Sequence, residues 1–351
     1  MRNGFTIGSF DFKDENQIFI VAELSANHNR SLKTAVETIK AAGRAGASAI
    51  KLQTYTPDTI TLDCKKEDFK IKQDTIWDGK YLYDLYKAAY TPWKWHPELF
   101  RVAKEEGLIC FSSPFDITAV DFLENLDAPA FKIASFEITD IPLIEYAASK
   151  GKPMIISTGI AEPGDVELAI KTCRDAGNEK IIILKCVSSY PSTIEEANLL
   201  MIPDLSKRYN VTTGLSDHTM GITAPVVAAI LGARLIEKHF IIDRSIGGPD
   251  ASFSLNEDEF SEMVLSVKGA IKARGRVDYT LSEKQTKSRE LCRSLYCVMD
   301  IKAGDVITHE NIRSIRPGFG LHPKHYKSVL GKKVKFDLKL GDRLSFEDLD
   351  L

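Results

Sequence analysis

Eight short runs of apolar and β-branched residues recur between residues 18 and 241, and each run predicts a β-strand. Their apolar character is nearly continuous rather than alternating, which is typical of strands in a parallel sheet that is covered on both faces. The predicted strands are Ile18–Leu24, Ala49–Tyr55, Leu108–Pro114, Ala130–Phe136, Pro153–Gly159, Lys180–Ser188, Val211–His218 and Leu235–Ile241.

The segments between these runs carry the apolar spacing of helices, as in Leu32–Ala45 and Ala224–Ala233. Strands that alternate with helices indicate βα units and a parallel sheet. Eight such units predict a (β/α)8 TIM barrel of the α/β class, with its site at the carboxyl ends of the strands. The gap between the second and third strands is longer than the others. Its segment Thr56–Tyr90, rich in Lys, Asp and Tyr, predicts a long loop at the rim.

The barrel pattern ends near residue 270, and the texture of the chain then changes. We expect a barrel domain over residues 1–270, a charged linker over 271–290 and a small domain over 291–351. The last segment has short strand patterns, turns at Gly304 and Gly341, and little helix, so it predicts a β-rich domain. A domain of this size buries barely enough surface to be stable alone, and we expect it to pack against a barrel.

Charge and cysteine usage narrow the class of protein. With 46 Lys and Arg against 49 Asp and Glu, the net charge is −3, so nothing favours nucleic acid or an acidic membrane as partner. No apolar run approaches the roughly 18 residues of a transmembrane helix, and the N-terminal segment lacks the apolar region of a signal peptide. The six cysteines form no CxxC pair. We therefore expect a protein of the reducing cytoplasm.

Polar side chains gather at the predicted carboxyl ends of the strands. Polar residues that served only solubility would be scattered over both ends of the barrel. Their concentration at one end predicts a site there. The residues are Glu23, Lys51, Gln53, Ser112, Ser113, Lys132, Ser135, Glu137, Thr158, Ser188, Ser189, Ser216, His218, Glu237 and His239.

The lysines and hydroxyls of this set are suited to an anion. Lys51 and Lys132 are ammonium groups that bind phosphate or carboxylate, and each serine can donate one hydrogen bond to an anion. This predicts a small molecule with phosphate and carboxylate groups. A lysine that forms a Schiff base and lysines in structural ion pairs are the alternatives. The carboxylates Glu23, Glu137 and Glu237 can act as acid or base, stabilise a cationic transition state or orient a ligand, or they can pair with lysines.

Two histidines, His218 and His239, end consecutive strands that are joined by one short helical crossover. Neutral imidazoles bind Zn, Mn, Fe or Co, and two protein ligands would leave positions for substrate. They can equally be ordinary polar residues of the rim. Asp250 follows a glycine-rich turn, and turn chemistry explains it as well as ligand binding does. Arg316, in the loop Arg316–Gly320, either reaches a substrate or is an ordinary surface arginine.

Nine short motifs, in order and over essentially the whole chain, resemble one known family, the sialic acid synthase family of nonulosonic acid synthases. The C-terminal segment resembles the antifreeze-like (SAF) domain that follows the barrel in these enzymes. The motifs are ELSANHN at 23–29, KLQ at 51–53, SSPF at 112–115, KIASFE at 132–137, SSYP at 188–191, GLSDH at 214–218, EKHF at 237–240, GPD at 248–250 and RPG at 316–318.

The resemblance implies a transferase that condenses phosphoenolpyruvate with the aldehyde of an open-chain amino sugar. C3 of phosphoenolpyruvate attacks the aldehyde, water adds to the resulting C2 cation, and phosphate leaves with cleavage of its C–O bond. A divalent metal, Mn or Mg with Co as an alternative, would be held by His218 and His239 and would polarise the aldehyde oxygen. The resemblance also implies a homodimer with exchanged C-terminal domains, in which Arg316 enters the barrel of the partner subunit.

The resemblance further implies a role for each matching residue. Glu23 would lie beside the metal and water, and Glu137 and Glu237 near the reacting carbons. The family often has Thr in place of Ser113 and Asn in place of Ser188. The residues matching the phosphoenolpyruvate-binding positions are Lys51, Ser113, Lys132, Ser135, Ser188 and Ser216, and those facing the sugar are Gln53, Tyr190 and Asp250.

Several positions depart from the pattern that is usual in sialic acid synthases. Arg30 and Phe136 each replace a glycine, and the segments Glu67–Lys72 and Phe319–Pro323 also differ. These features resemble the branch of the family that uses 2,4-diacetamido-2,4,6-trideoxy-L-altrose, and they predict that sugar as substrate. N-acetylmannosamine, a 2,4-diacetamido mannose-type sugar and the substrate of a spore-coat polysaccharide synthase are the alternatives within the family.

Two other classes of protein compete with this interpretation. A Schiff-base aldolase would use Lys51 or Lys132, and borohydride would trap its substrate adduct. A non-catalytic sugar-binding or ice-binding protein would rest on the C-terminal segment alone. That second hypothesis leaves unexplained why so many ionisable residues gather at one rim of the barrel.

Overall fold

The computed structural model describes residues 4–72 and 77–350 of the 351-residue chain. The chain divides into two compact units, Met1–Gly275 and Arg276–Leu351. The larger unit contains a closed barrel of eight parallel strands. The predicted TIM-barrel fold is therefore confirmed.

The eight predicted strands are all present, and their ends differ from the predicted ends by at most three residues. The order of hydrogen-bonded neighbours around the barrel is β10-β3-β4-β5-β6-β7-β8-β9. Preceding the barrel is an antiparallel hairpin, β1 and β2, and the C-terminal unit holds β11 and β12. The strands are β1 (Thr6–Ile7), β2 (Phe10–Asp11), β3 (Phe19–Glu23), β4 (Ala49–Thr54), β5 (Ile109–Pro114), β6 (Phe131–Ile133), β7 (Met154–Ser157), β8 (Ile181–Cys186), β9 (Thr212–Asp217), β10 (Leu235–His239), β11 (Ser294–Cys297) and β12 (Ile312–Ile315).

Helices pack their apolar faces against the outside of the barrel, where two clusters of buried aliphatic residues join them to the strands. The last barrel helix, α10, extends past the predicted end of the domain at residue 270. The helices are α1 (Leu32–Arg44), α2 (Pro57–Ile60), α3 (Leu82–Ala89), α4 (His96–Glu105), α5 (Ile117–Asn125), α6 (Ile141–Ser149), α7 (Pro163–Asp175), α8 (Met201–Tyr209), α9 (Thr223–Ile230), α10 (Glu257–Arg274), α11 (Glu283–Ser288) and α12 (Tyr326–Val329).

The insertion between β4 and α4 is more ordered than the long loop that the sequence predicted. It contains α2, a 3₁₀ turn at Glu67–Phe69 and α3, while residues 73–76 of it lie outside the described ranges. Tyr86 of α3 packs against Tyr55 at the end of β4, with ring centroids 5.7 Å apart. Tertiary aromatic packing of this kind stabilises a helix that is too short to be stable on its own.

The N-terminal hairpin lies at the amino-terminal end of the barrel. Phe10 and Phe12 contact Phe19, the first residue of β3, with ring centroids 4.9 and 5.7 Å apart. These rings continue the apolar filling of the barrel interior, to which Phe111 and Leu235 also belong. Because one end is filled with apolar side chains, the polar site has room only at the opposite, carboxyl end.

The C-terminal unit has its own small core. Its two strands pair antiparallel, further isolated bridges connect its turns, and α12 is one turn long. Leu295, Ile307 and Leu344 are among the buried residues at its centre. The unit thus has the short strands and scarce helix that the sequence indicated. Among the residues that the structure describes, no helix of either unit is long and apolar enough to span a bilayer.

Candidate active site

Strand alternation determines which side chains enter the barrel. Along β10, Glu237 and His239 point inward, while Lys238 between them points outward and pairs with Asp217 at 2.5 Å. Asp217 lies between Ser216 and His218, which share the inward side with Glu237 and His239. The outward ion pair is therefore structural, and the inward residues are available for chemistry.

Four strands bring two lysines and two glutamates together at the mouth. Lys51 Nζ lies 2.7 Å from Glu237 Oε1 and 3.1 Å from Glu23 Oε2, and Lys132 Nζ lies 3.2 Å from Glu237 Oε1. Ser216 Oγ donates to the same Glu237 oxygen at 3.3 Å. All five side chains are buried. When all four groups are ionised, the two positive and two negative charges form ion pairs that offset much of the cost of burial.

Burial and the neighbouring charges shift the pKa of each of the two lysines and two glutamates in this cluster. Burial raises the pKa of Glu23 to about 7 and lowers the pKa of Lys132. Burial would also raise the pKa of Glu237, but Lys132 and Lys51 hold it well below its ordinary value. Although burial opposes it, Glu23 and Glu237 raise the pKa of Lys51, so this lysine stays charged. A charged ammonium group suits anion binding better than Schiff-base formation.

The two histidines meet beside this cluster, with ring centroids 5.3 Å apart. His218 Nδ1 donates to the Val187 carbonyl oxygen at 2.8 Å, which leaves Nε2 with a free lone pair. His239 is buried, and its Nδ1 has no hydrogen-bond partner within the described ranges. Burial, with the neighbouring His218, lowers the pKa of His239 well below its ordinary value. Two imidazoles with available nitrogens are a donor set that fits a divalent metal ion once both are deprotonated, although Cys186 and the Val187 carbonyl raise the pKa of His218 against the effect of burial.

A chain of hydrogen bonds connects Gln53, Ser25 and Asp250 to the lysine–glutamate cluster. Gln53 Nε2 donates to Glu23 Oε1 at 2.9 Å and to Ser25 Oγ at 3.0 Å, and Ser25 Oγ donates to Asp250. Ser25 adopts φ +47°, a left-handed conformation that aims its hydroxyl at Asp250. Gln53 and Asp250, separated by most of the barrel sequence, thus lie at one side of the mouth.

Tyr190 covers the histidine pair. Its ring centroid lies 4.3 Å from that of His218 and 5.4 Å from that of Phe253. Burial raises the pKa of its phenol, so the hydroxyl stays protonated. Tyr190 therefore presents a neutral, largely apolar face next to the imidazoles.

The predicted serines have different surroundings in the structure. Ser113 is buried with no hydrogen-bond partner for its hydroxyl among the described residues. Ser135 and Ser188 lie against Gly159, whose backbone N–H donates to Ser135 Oγ at 3.1 Å. Ser112 belongs to the opposite face of β5, where it bonds Thr54 Oγ1 at 2.6 Å. The expectation that Ser112 would share the rim site is therefore wrong, because adjacent strand residues point to opposite faces.

The sequence placed Ser135 on the fourth strand, with Glu137 directly after it, and this is also wrong. β6 ends at Ile133, and Ser135–Glu137 form a 3₁₀ turn. Glu137 forms no ion pair with any residue of the described ranges, and burial raises its pKa to about 7. Arg316 belongs to the C-terminal unit, where it is exposed directly after β12.

Two neighbours of the site were not assigned a role from the sequence. An added Cβ at Gly159 would lie 2.1 Å from Ser188 Oγ and 2.7 Å from Ser135 Oγ, so only glycine fits without displacing them. Cys186 Sγ lies 3.6 Å from Ser135 Oγ and 3.9 Å from His218 Nδ1. The glycine that ends the fifth predicted strand was a usable signal, whereas nothing local marked Cys186.

The fold and site define a TIM-barrel enzyme with a lysine–glutamate cluster and a histidine pair at its mouth, followed by a small β-rich unit. The chain belongs to the NeuB family, whose family model matches residues 38–279, and a SAF domain matches residues 293–350. The resemblance to this family found in the sequence is therefore confirmed.

The chain is similar to several proteins with named activities. A pseudaminic acid synthase of Campylobacter jejuni is 48% identical over 338 residues, covering 96% of this chain and 98% of that protein. A pseudaminic acid synthase of Helicobacter pylori is 47% identical over 332 residues, covering 94% of this chain and 97% of that protein. The crystal structure of an N-acetylneuraminic acid synthetase of Leptospira borgpetersenii in complex with citrate superposes with a TM-score of 0.73 at 30% identity, covering 82% of this chain and 95% of that chain.

Proposed function

We propose that this chain is a pseudaminic acid synthase, which condenses phosphoenolpyruvate with 2,4-diacetamido-2,4,6-trideoxy-L-altrose and releases phosphate by C–O cleavage. The relatives named for this activity are 47–48% identical over nearly the whole chain. The departures from the sialic acid synthase pattern at Arg30 and Phe136 support the same substrate. N-acetylneuraminic and legionaminic acid synthases, and a spore-coat polysaccharide synthase, remain the alternatives with the same chemistry.

The observation that carries the proposal is a set of buried polar groups that converge without being fully paired. The Ser113 hydroxyl has no partner in the described part of the chain, and Lys51 and Lys132 share one carboxylate oxygen. Buried polar groups normally have partners, so an unpaired hydroxyl on β5, the strand between those of Lys51 and Lys132, supports an anionic ligand. The proposed phosphoenolpyruvate-binding residues are Lys51, Ser113, Lys132, Ser135, Ser188 and Ser216.

We propose that His218 and His239 hold a divalent metal, Mn or Mg with Co as an alternative. Among the described residues, no cluster of three or more His, Cys, Asp or Glu side chains is arranged to bind a metal. Two imidazoles would leave the remaining coordination positions to water and the sugar. A metal held by these residues would supply Lewis acidity toward the aldehyde oxygen.

Each of the three glutamates at the site has its own proposed role in the reaction. Glu237, which the two lysines hold ionised, would stabilise the cation that forms at C2 of phosphoenolpyruvate. Glu23, which accepts a hydrogen bond from Gln53, would orient the attacking water. Glu137 has a pKa of about 7 because it is buried, so it can give or take a proton near neutral pH.

The sugar is proposed to lie on the side of Gln53, Tyr190 and Asp250. Gln53 and Asp250 are hydrogen-bonded through Ser25, and they offer amide and carboxylate groups to hydroxyl or amide groups of a sugar. Tyr190 packs on His218 and offers an aromatic face. This division leaves the charged side of the mouth to phosphoenolpyruvate.

We propose a homodimer with exchanged C-terminal domains, in which Arg316 of the partner subunit completes the site. Large apolar side chains stand exposed in the segment that precedes the C-terminal domain, with Val277 87% and Tyr279 95% exposed. Phe136 and Met220, next to the barrel mouth, are 57% and 49% exposed. In the proposed dimer, these exposed side chains would be available for the contact between the subunits.

Domain bounds and compartment complete the proposal. We place the barrel domain at residues 1–270, the linker at 271–290 and the SAF domain at 291–351. The six cysteines are all free, which supports a reducing compartment and hence the cytoplasm.

The test is phosphate release from phosphoenolpyruvate, with Mn added or chelated, across a panel of amino sugars. We expect release only with metal and with the 6-deoxy altro sugar. Release with N-acetylmannosamine in its place would retain the chemistry and refute the substrate. A borohydride-trapped adduct on Lys51 or Lys132, with no effect of chelation, would refute the metal-dependent mechanism.

A further inference from the structure

The rim insertion reaches the histidine pair through one side chain. Trp77, in the stretch that follows the 3₁₀ turn Glu67–Phe69, is half-buried and packs against Tyr190, with ring centroids 5.6 Å apart at 57°. Tyr190 in turn lies 4.3 Å from His218. Trp77 is therefore separated from the proposed reaction centre by a single aromatic ring.

The aromatic residues form one continuous wall. Phe253, which is fully buried, lies 5.4 Å from Tyr190 and 5.0 Å from His239. Lys51 and Glu237, whose charged atoms lie 2.7 Å apart, belong to the charged cluster and not to this row of rings. The mouth thus has a charged side and an aromatic side, with the histidine pair between them, and Trp77 lies at the outer end of the aromatic side.

We propose that Trp77 is a specificity-determining residue, which contacts the part of the sugar remote from its aldehyde and favours apolar substituents there. This inference rests on the proposed function. With the aldehyde at the histidines and phosphoenolpyruvate on the charged side, the remaining carbons of the sugar extend along the aromatic side. Tyr190 adjoins the histidines, so the far end of the sugar meets Trp77.

The substituents of the competing sugars determine which of them the aromatic wall would favour. The altro sugar carries an acetamido methyl at C4 and a methyl at C6, whereas N-acetylmannosamine carries hydroxyls at both positions. Methyl groups gain free energy when they are buried against an indole ring, while a hydroxyl that lies against the same ring loses its hydrogen bond to water. Trp77 would therefore help to select the 6-deoxy sugar.

The experiment compares the variants Trp77→Ala and Trp77→Phe with the wild type. Phosphate release gives kcat and KM for the altro sugar and, separately, for phosphoenolpyruvate, and thermal unfolding checks the fold. In Trp77→Ala we expect the KM for the sugar to rise about tenfold, as for the loss of one apolar contact in a pocket, with the KM for phosphoenolpyruvate unchanged. Trp77→Phe should recover most of the loss, since it keeps an aromatic face.

Leu62→Ala is the matched control, because Leu62 lies in the same insertion and is 65% exposed. We expect it to behave as the wild type. An unchanged KM for the sugar in Trp77→Ala would overturn the inference, as would an equal rise in both KM values with a lower unfolding temperature. Wild-type turnover of N-acetylmannosamine alone would refute the proposed substrate together with this selectivity, whereas turnover of the altro sugar with an unaffected Trp77→Ala refutes only the role of Trp77.

Discussion

At the scale of single residues, backbone geometry explains why the family pattern has a glycine at the position of Arg30. Arg30 stands where sialic acid synthases usually have glycine, and it has φ +58°, in the left-handed region that glycine adopts most easily. Its backbone N–H donates to His28 Nδ1 at 3.0 Å, which helps to hold that conformation. The glycine of the family pattern thus reflects a conformational requirement, and the arginine meets it at a cost of roughly 1–2 kcal/mol.

Gly159 should be intolerant of a side chain. In Gly159→Ala the new methyl group would displace the Ser188 and Ser135 hydroxyls, with which its Cβ would overlap. We expect the KM for phosphoenolpyruvate to rise at least about tenfold, since small displacements of binding groups are costly. Gly164→Ala, where nothing lies within 4 Å of the added Cβ, is the control. Equal behaviour of the two variants in phosphate release would contradict the serine assignments.

Glu137 should make the stability of the protein depend on pH. Burial raises its pKa from 4.5 to about 7 in the folded protein. Between these values the unfolded chain loses the proton while the folded protein keeps it, so stability falls as pH rises through this window and then levels off. Glu137→Gln removes this loss, which amounts to about 3 kcal/mol.

The measurement is the thermal unfolding midpoint of Glu137→Gln and wild type at pH 5 and pH 8. We expect the variant to gain stability over wild type at pH 8 but little at pH 5. Glu167→Gln, at an exposed position, is the control and should show the same difference from wild type at both values. A gain that does not depend on pH would show that Glu137 is not buried in its protonated form.

At the scale of elements, the two ends of the barrel have opposite characters. The hairpin β1–β2 adds Phe10 and Phe12 to the apolar interior at the amino-terminal end. The carboxyl end collects the charged cluster, and the insertion with α3 stands beside it. Stability and chemistry are therefore assigned to different elements, as is general for TIM barrels.

Phe12→Ala should lower the stability of the protein without changing the chemistry of the site. Phe12 is 7% exposed and contacts Phe5, Phe10 and Phe19, so its truncation leaves a cavity. We expect a loss of about 3 kcal/mol in the free energy of unfolding, with both KM values unchanged. Denaturant unfolding and phosphate release measure the two effects. Leu265→Ala, at a 71% exposed position of α10, should change neither by a measurable amount.

At the scale of the whole molecule, the chain consists of a barrel that holds most of the proposed site and a small unit that holds Arg316. In the proposed dimer, the barrel of one subunit and Arg316 of the partner subunit form one site. This arrangement makes the activity of each barrel depend on assembly.

Subunit mixing tests the shared site. His218→Ala should lose turnover by orders of magnitude because it removes a proposed metal ligand, and Arg316→Ala should lose sugar use more than phosphoenolpyruvate binding. Mixed dimers of the two variants contain one intact site each, so mixing after subunit exchange should restore about a quarter of wild-type activity. Mixing two preparations of Arg316→Ala is the control. No recovery in the mixed sample, with exchange verified by mass, would contradict the shared site.

The sequence by itself determined the barrel, since eight apolar runs with helical segments between them leave few other ways to bury those residues. It also located Glu23, Lys51, Lys132, Glu237 and the two histidines at one rim, because parallel strands present their carboxyl ends together. The ordered motifs identified the family. These are local or additive signals that the order of residues carries along the chain.

Only the tertiary structure decided which polar residues face each other. Ser112 and Ser113 are neighbours in sequence yet point to opposite faces, and β6 ends at Ile133, so that Ser135 lies in a turn and not on the predicted strand. The contact between Trp77 and Tyr190 joins residues far apart in sequence, so no local pattern indicates it. The physical reason is that hydroxyl pairing, steric overlap and desolvation depend on distances across the barrel, which are fixed only when the strands close.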